Sequence, residues 1–137
     1  MKVFLGGTCN ESKWREQLIP MLTIDYFNPV VDDWTPECQE EELKQRQQCD
    51  YCLYVVIPKM TGVYSIAEVV DDSNKRPHKT LFLIIPADEL EFTPAQLKSL
   101  RQVERMVVNN GATSFDCLST LAEYLNTGGT NGTNDNL

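Results

Sequence analysis

The sequence has no long apolar run and no excess of basic residues. Its longest apolar stretch is far shorter than the ~20 residues that span a bilayer, and its formal net charge is −8. An acidic chain of this kind has no overall positive field to attract a phosphate backbone or an anionic membrane surface. We therefore predict that it binds neither nucleic acid polymers nor membranes. Its scattered lysines and arginines still leave room for a single mononucleotide.

Several cofactor and metal motifs are absent as well. No GxGxxG pattern or Gly-Lys-Ser/Thr P-loop follows the first apolar run, so the signatures of dinucleotide binding and of triphosphate hydrolysis are missing. The single CxxC, formed by Cys49 and Cys52, has no second CxxC or histidine pair to complete a zinc site. We expect no metal and no cofactor, and we predict that Cys49 and Cys52 are buried and structural.

The cysteine count and the N-terminus indicate a reducing compartment. Five cysteines do not form a complete set of disulfides, and the N-terminus carries neither the basic nor the long apolar region of a secretory signal. We therefore expect a cytoplasmic protein.

Apolar runs alternate with helical patterns along the chain. Continuous apolar segments at 51–57 and 80–85 are typical of strands buried on both faces of a parallel sheet. The alternation predicts one α/β domain over residues 1–126, with a Rossmann-like or flavodoxin-like parallel sheet of about five strands and helices on both faces. Residues 127–137 are rich in Gly, Asn and Thr, and we expect this tail to be disordered.

Capping residues and prolines set the predicted element boundaries. The second strand is placed at 23–27, and the first helix is expected to start with a cap at 10–12 and to bend or end near Pro20. Thr35 is the predicted N-cap of a mostly polar helix that continues to about Gln48. A further helix is predicted from about Ser65 to Asn74.

Three loops are expected to meet at one edge of this sheet. In open parallel sheets, ligands bind outside the carboxyl ends of the strands, near the point where the strand order reverses. Gly6, Gly7 and Thr8 follow the first strand, and the glycines would let the backbone approach a ligand closely. An ordinary tight turn would have the same sequence. The loop after Asn28 and the segment 58–68 complete the expected crevice.

Glu68 is the sharpest candidate for chemistry. It is predicted to lie in the first turn of a helix that follows a buried strand, where the helix N-terminus would keep its carboxylate ionised and suited to act as a nucleophile. A structural interpretation is also compatible with the spacing, because Ser65-x-x-Glu68 matches a capping box. Spacing alone favours the capping box.

Three short segments, considered together with their order along the chain, are informative. They are LGGT at 5–8, CDY at 49–51 after a carboxylate-rich helix, and GVYSIAE at 62–68. Over roughly residues 2–86, the chain resembles the nucleoside 2-deoxyribosyltransferase superfamily. The resemblance implies that Glu68 attacks the anomeric carbon of a 2-deoxyribosyl group. It also implies that Glu42, eight residues before Asp50, is a second acid, although well-known members have Asp there. Covalent trapping of an oxocarbenium-like sugar by a carboxylate is the chemistry of retaining glycosidases.

Other polar and aromatic residues near these acids are candidates for substrate binding. Arg15, by contrast, is expected to be an exposed surface residue. The candidates for contacts to the sugar, to a 5′-phosphate or to the base are Gly6, Gly7, Thr8, Asn28, Asp33, Trp34, Gly62, Tyr64 and Ser65.

Two classes of function remain open at this stage. The first is an enzyme that acts on the N-glycosidic bond of a nucleoside or nucleoside 5′-monophosphate, either transferring the sugar to another base or releasing it to water. The second is a catalytically silent module that binds a nucleotide or nucleotide sugar. NAD or ADP-ribose as the ligand ranks lower. The resemblance also implies a homodimer or larger homo-oligomer.

Overall fold

The computed structural model describes residues 1–9 and 11–129. Most of the predicted tail, from residue 130 onward, and Asn10 lie outside the described residues. The strands are β1 (Lys2–Gly7), β2 (Asp25–Phe27), β3 (Tyr51–Val56), β4 (Thr80–Ile84) and β5 (Thr113–Phe115). The helices are α1 (Trp14–Leu18), α2 (Pro36–Gln48), α3 (Tyr64–Lys75), α4 (Pro94–Asn109) and α5 (Leu118–Asn126).

The five strands form one sheet in the order β2-β1-β3-β4-β5, and every pairing is parallel. This is the flavodoxin-like order, in which the chain moves outward in one direction from β1 to β2 and in the other from β3 to β5. The prediction of a five-stranded parallel α/β sheet is therefore confirmed. The strand order reverses between β1 and β3, so a crevice is expected at the carboxyl ends of these two strands.

Two apolar cores lie on opposite faces of the sheet, which confirms the prediction of helices on both sides. One core packs α1 and α5 against the sheet through side chains such as Trp14, Leu18 and Leu121. The other packs α3 and α4 through Val69, Leu100 and Val107. All residues of β3 and β4 are buried, as their continuous apolar sequences predict.

Two sequence predictions, one on the CxxC cysteines and one on membrane-spanning segments, can be compared with the structure. Cys49 and Cys52 are both buried, as predicted, and burial raises the pKa of the Cys52 thiol to about 12. This thiol stays protonated at neutral pH and packs as a small apolar group. In the described part of the chain, no helix has the length and apolar character needed to cross a bilayer.

Several predicted boundaries differ from the structure near the N-terminus. β2 begins at Asp25 rather than at residue 23, because Thr23 donates its backbone N–H to Asn126 Oδ1 instead of joining the sheet. The first helix has Lys13 at its N-cap with no side-chain cap, so capping by Glu11 or Ser12 is wrong. The helix ends at Leu18, and a 3₁₀ turn that contains Pro20 follows. Thr35, by contrast, caps α2 as predicted by accepting the Cys38 N–H.

Candidate active site

The glycines after β1 allow two strands to approach closely. A Cβ atom on Gly7 would lie 2.0 Å from the Val55 carbonyl oxygen, and Gly7 has a φ of +111°, which other residues rarely adopt. A Cβ atom on Gly6 would lie 2.6 Å from the ring of Tyr54. Beyond them, Thr8 accepts the Ile57 N–H on its hydroxyl oxygen at 3.2 Å. These three residues therefore bind the end of β1 to β3 at the point where the strand order reverses.

Arg15 fixes this loop from below, so its prediction as an exposed residue is wrong. Its side chain is buried and donates to the Leu5 carbonyl oxygen through Nε at 3.0 Å and Nη2 at 2.8 Å. Its Nη1 donates to the Thr8 carbonyl oxygen at 2.7 Å. Gly7 has a positive φ and Gly6 packs closely against Tyr54. Neither glycine has a side chain that could stabilise the turn. Arg15 supplies this support from the next helix.

A cleft of about 300 Å³ opens at the carboxyl ends of β1 and β3. Its walls come from the loop after β1, the loop after β2, the face of α2 and the start of α3. A smaller recess of about 100 Å³ adjoins it between α2 and α3 and shares Trp34, Glu42, Tyr64 and Glu68 with it. Of the predicted candidates, the residues that line the main cleft are Gly7, Thr8, Trp34, Glu42, Gly62, Tyr64, Ser65 and Glu68.

Three other candidates do not line the cleft. Gly6 is buried beneath it against Tyr54. The side chain of Asn28 accepts the Val30 N–H at 3.1 Å and so closes a turn after β2. Asp33 is exposed beside the cleft. Several further lining residues lie in the segments predicted to form the crevice but were not singled out as candidates, namely Cys9, Pro29, Val30, Val31, Met60 and Thr61.

Glu68 is the fifth residue of α3, since the helix begins at Tyr64 with Val63 at its N-cap. No side chain caps this helix, so the capping-box interpretation of Ser65 and Glu68 is wrong. The prediction that Glu68 lies in the first turn is also wrong. The carboxylate instead lies one turn along the helix, with only 8% of the residue exposed, at the wall shared by the cleft and the recess.

The surroundings of Glu68 favour its protonated form more than a helix N-terminus would. Burial raises the pKa of Glu68 to about 7, and the charges of Glu42 and Asp72 act in the same direction while Arg46 opposes them. The expected ionisation by the helix terminus is thus outweighed by desolvation. A buried carboxylate with a pKa near neutrality is basic, and basicity favours attack when it is ionised.

Arg46 is the charged partner of Glu68 and was not predicted. Its Nη1 lies 3.8 Å from Glu68 Oε2, while its other nitrogens bind Asp71 and Asp72 at 2.9–3.2 Å. A sequence signal did exist. Arg46 follows Glu42 by four residues and Asp72 follows Glu68 by four, so each pair lies on one helix face.

Glu42 lies across the cleft wall on α2, half-buried. Its Oε2 accepts the indole N–H of Trp34 at 2.9 Å. This bond fixes one carboxylate oxygen and also holds the exposed Trp34 ring at the rim of the cleft.

The fold and the cleft together define an α/β domain of flavodoxin-like strand order with paired carboxylates at its strand-order reversal. The chain matches the model of one protein family, described as nucleoside 2-deoxyribosyltransferase like, over residues 1–86. This range covers β1 to β4 and every residue that lines the cleft. The chain therefore belongs to the nucleoside 2-deoxyribosyltransferase-like family, which confirms the resemblance. A search of curated proteins finds no match.

Proposed function

We propose that this protein cleaves the N-glycosidic bond of a 2′-deoxynucleoside through a covalent glycosyl intermediate on Glu68. The sugar then passes to water or to another base. The observation that carries the proposal is the meeting of two carboxylates, Glu68 and Glu42, in one cleft at the strand-order reversal. Membership of the family supports a nucleoside as the ligand. The raised pKa of Glu68 supports its role as a basic nucleophile.

The reaction has two steps. In the first, an ionised Glu68 oxygen bonds to the anomeric carbon while the bond to the base breaks. The two carboxyl groups hold one proton between them at the start, and this proton is on Glu42 when Glu68 is ionised. The electron pair of the glycosidic bond goes to the base nitrogen, which takes that proton from Glu42. In the second step, water or another base attacks the same carbon, gives its proton to Glu42 and releases Glu68 as a carboxylate.

The charge of the cleft favours an unphosphorylated substrate. Among the described residues that line the cleft there is no Lys, Arg or His, while Glu42 and Glu68 both contribute carboxylates. A 5′-phosphate would therefore meet at least one carboxylate of like charge, with hydroxyl and backbone N–H donors but no cation among these lining residues to offset its charge. Trp34, Val30 and Val31 line the outer wall with exposed apolar surface, which suits stacking of a base.

The direct test is to incubate the protein with deoxynucleosides, their 5′-monophosphates and NAD, with and without an acceptor base, and to measure released base by chromatography. We expect turnover of deoxynucleosides and a loss of at least about 10³-fold in Glu68→Ala and Glu68→Gln. Glu42→Gln is expected to lose less, because it removes acid–base assistance alone. Glu41→Gln, a matched acid on the same helix, is the control and should retain activity.

A 2-fluoroarabinosyl nucleoside provides the test of the covalent step. Mass spectrometry should detect a glycosyl adduct on the peptide that contains Glu68. Turnover of deoxynucleosides without any adduct, or base release that survives both Glu68 variants, would contradict the mechanism. Tight binding without turnover would support the silent binding module instead.

The predicted homo-oligomer belongs to the same proposal. Trp34 in the cleft and Val63 and Tyr64 at the start of α3 are exposed apolar side chains, and exposed apolar surface is typical of interfaces between chains. Light scattering during size-exclusion chromatography would give the mass. A monomer across the micromolar range would contradict this prediction.

A further inference from the structure

A cluster of charged side chains lies beneath the cleft, between α2 and α3. Asp72 is fully buried at its centre and accepts hydrogen bonds from the hydroxyl of Tyr54 and from Arg76 and Arg46. Burial beside Asp72 raises the pKa of Tyr54, which stays protonated and remains a donor. Asp72 is therefore held from β3 and from its own helix, and it is a rigid support for whatever it binds.

Asp72 and Asp71 determine where the guanidinium group of Arg46 lies. The Nε and Nη2 atoms of Arg46 donate to Asp72 at 3.2 and 3.0 Å, and Nη2 also donates to Asp71 at 2.9 Å. The group is planar and its donors have a fixed fork geometry, so these bonds fix the direction of Nη1. Nη1 faces Glu68 Oε2 at 3.8 Å, which is beyond hydrogen-bond distance.

We propose that Arg46 is a positioning residue for Glu68: Asp72 holds its guanidinium group near the carboxylate but short of a hydrogen bond, so that the charge is offset while both oxygens stay available for attack. The inference rests on the proposed function of Glu68 as the nucleophile. It assigns no contact with substrate to Arg46. A second consequence is that Asp72 acts on Glu68 through Arg46, although it lies below the cleft.

The distance of 3.8 Å has opposite effects on charge and on reactivity. A positive charge at this range in a buried site favours the ionised carboxylate. A direct hydrogen bond from a guanidinium group would go further, because it would occupy a lone pair and lower the basicity of the oxygen. By engaging Arg46 on its other edge, Asp72 prevents such a bond and preserves the nucleophile.

The groups that face Glu68 come from every element packed around it. Arg46 and Glu42 face it from α2, and Asp72 acts from the next turn of α3. Tyr54 of β3 lies behind Asp72. Tyr64 on α3 and Cys9 after β1 share the cleft with it. Among these groups only Arg46 is a cation, so the direction of its effect on Glu68 is distinct from that of the rest.

The test is a pH titration of the Glu68 side-chain carboxyl by carbon-13 NMR, with the signal assigned by its loss in Glu68→Gln. Asp72→Asn keeps the shape of the side chain and an acceptor for Tyr54. It should lower the pKa of Glu68 by about one unit, because it removes a negative charge and lets Arg46 approach. Arg46→Gln should raise the pKa by about one unit. Glu41→Gln is the matched control: Glu41 lies on the same helix as Arg46 but accepts a hydrogen bond from Gln45, so its replacement should change the pKa of Glu68 by less than about 0.3 unit.

Activity provides the second measurement. The acidic limb of the pH profile of kcat/KM should move with the titration, downward in Asp72→Asn and upward in Arg46→Gln. At pH 8, Asp72→Asn should lose about tenfold in kcat with little change in KM, because the carboxylate becomes less basic and is hydrogen-bonded. If Arg46→Gln does not fold, Arg46→Lys replaces it. A lysine cannot bind Asp72 and approach Glu68 with fixed geometry, so kcat should fall there too.

The outcomes distinguish the two proposals. If the wild-type protein releases no base from any nucleoside but the titration shifts occur in opposite directions, the proposed function fails and the placement of Arg46 stands. If Glu68 cleaves deoxynucleosides while its pKa agrees to within about 0.3 unit in all variants, the positioning role of Arg46 is overturned. A uniform loss of activity without any movement of the pH profile would also overturn it.

Discussion

The buried carboxylate of Glu68 weakens the folded state when it is ionised. Its side chain is almost fully enclosed, and the nearest cationic group among the described residues, Arg46 Nη1, lies 3.8 Å away. Desolvation of a charged group is unfavourable unless close partners compensate for it. Removal of this charge should therefore have opposite effects on stability and on the proposed activity.

We predict that Glu68→Gln is more stable than the wild-type protein above pH 7. Burial raises the pKa of Glu68 from 4.5 to about 7, so the folded state binds its proton more tightly than the unfolded state does. Stability from this group is fully present below about pH 4.5 and is lost as the pH rises to about 7. The variant should gain about 2–3 kcal/mol at pH 8.

Urea denaturation at pH 8 and at pH 4 measures this effect. The difference between variant and wild type should shrink toward zero at the lower pH, where Glu68 is protonated in both states. Glu41→Gln provides the comparison and should show no such dependence. An equal difference at both pH values would show that packing, and not charge, separates the variant from the wild type.

The position of Glu68 in the crevice could be predicted from the sequence, but its electrostatic environment could not. A carboxylate shortly after a buried parallel strand lies near the carboxyl end of that strand, where the crevice of such a sheet is found. This explains why the position of Glu68 was predicted correctly. Its protonation depends instead on Arg46 and Asp72, which reach it from α2 and from the next turn of α3. Such contacts depend on helix packing and leave only a weak trace in residue spacing.

At the scale of elements, the turn at the end of β1 is held closely against β3. Gly7 has a positive φ and lies against the backbone of Val55, and the next residue, Thr8, continues the contact with β3. The turn therefore tolerates no side chain at Gly7. Gly62, which lines the other side of the cleft, has open space around its α-carbon.

We predict that Gly7→Ala destabilises the protein by more than about 2 kcal/mol, because the new methyl group would overlap the Val55 carbonyl oxygen. Gly62→Ala should leave stability unchanged or raise it by about 0.4–1 kcal/mol, since it only restricts the unfolded chain. Thermal unfolding of the two variants makes the comparison. Equal melting temperatures would contradict the role assigned to Gly7.

Capping residues and apolar runs predicted the helices and strands well. Contacts that depend on the tertiary structure could not be predicted in the same way. Thr35 at the start of α2 and the apolar runs of β3 and β4 carry local information, so their predicted places agree with the structure. Arg15 was misplaced because its partners are the carbonyl oxygens of Leu5 and Thr8. Every residue has a backbone carbonyl group, so the sequence contains no pattern that predicts which of them Arg15 will bind.

At the scale of the whole molecule, one core depends on a helix outside the family match. The match ends at residue 86, whereas α5 contributes Leu121 and Leu125 to the core that covers β1 and β3. Both side chains are fully buried. The strands that carry the site are thus supported on one face by a segment the match does not include.

We predict that Leu121→Ala and Leu125→Ala each destabilise the protein by about 2–5 kcal/mol, because each leaves a cavity against the sheet. Leu90→Ala is the control, since this residue is largely exposed and should change stability by less than about 0.5 kcal/mol. Chemical denaturation gives all three values. A small effect at both α5 positions would mean that the matched segment is stable without that helix.

The absence of a side chain at Gly6 links distant parts of the molecule. The space above its α-carbon is filled by the ring of Tyr54, whose hydroxyl group binds Asp72. A single methyl group added in β1 would therefore push on a chain of contacts that ends at the proposed nucleophile, without entering the cleft at all. Directed evolution of this protein should accordingly include positions on the buried side of the sheet. Changes there would alter the reaction rate while leaving the shape of the cleft intact.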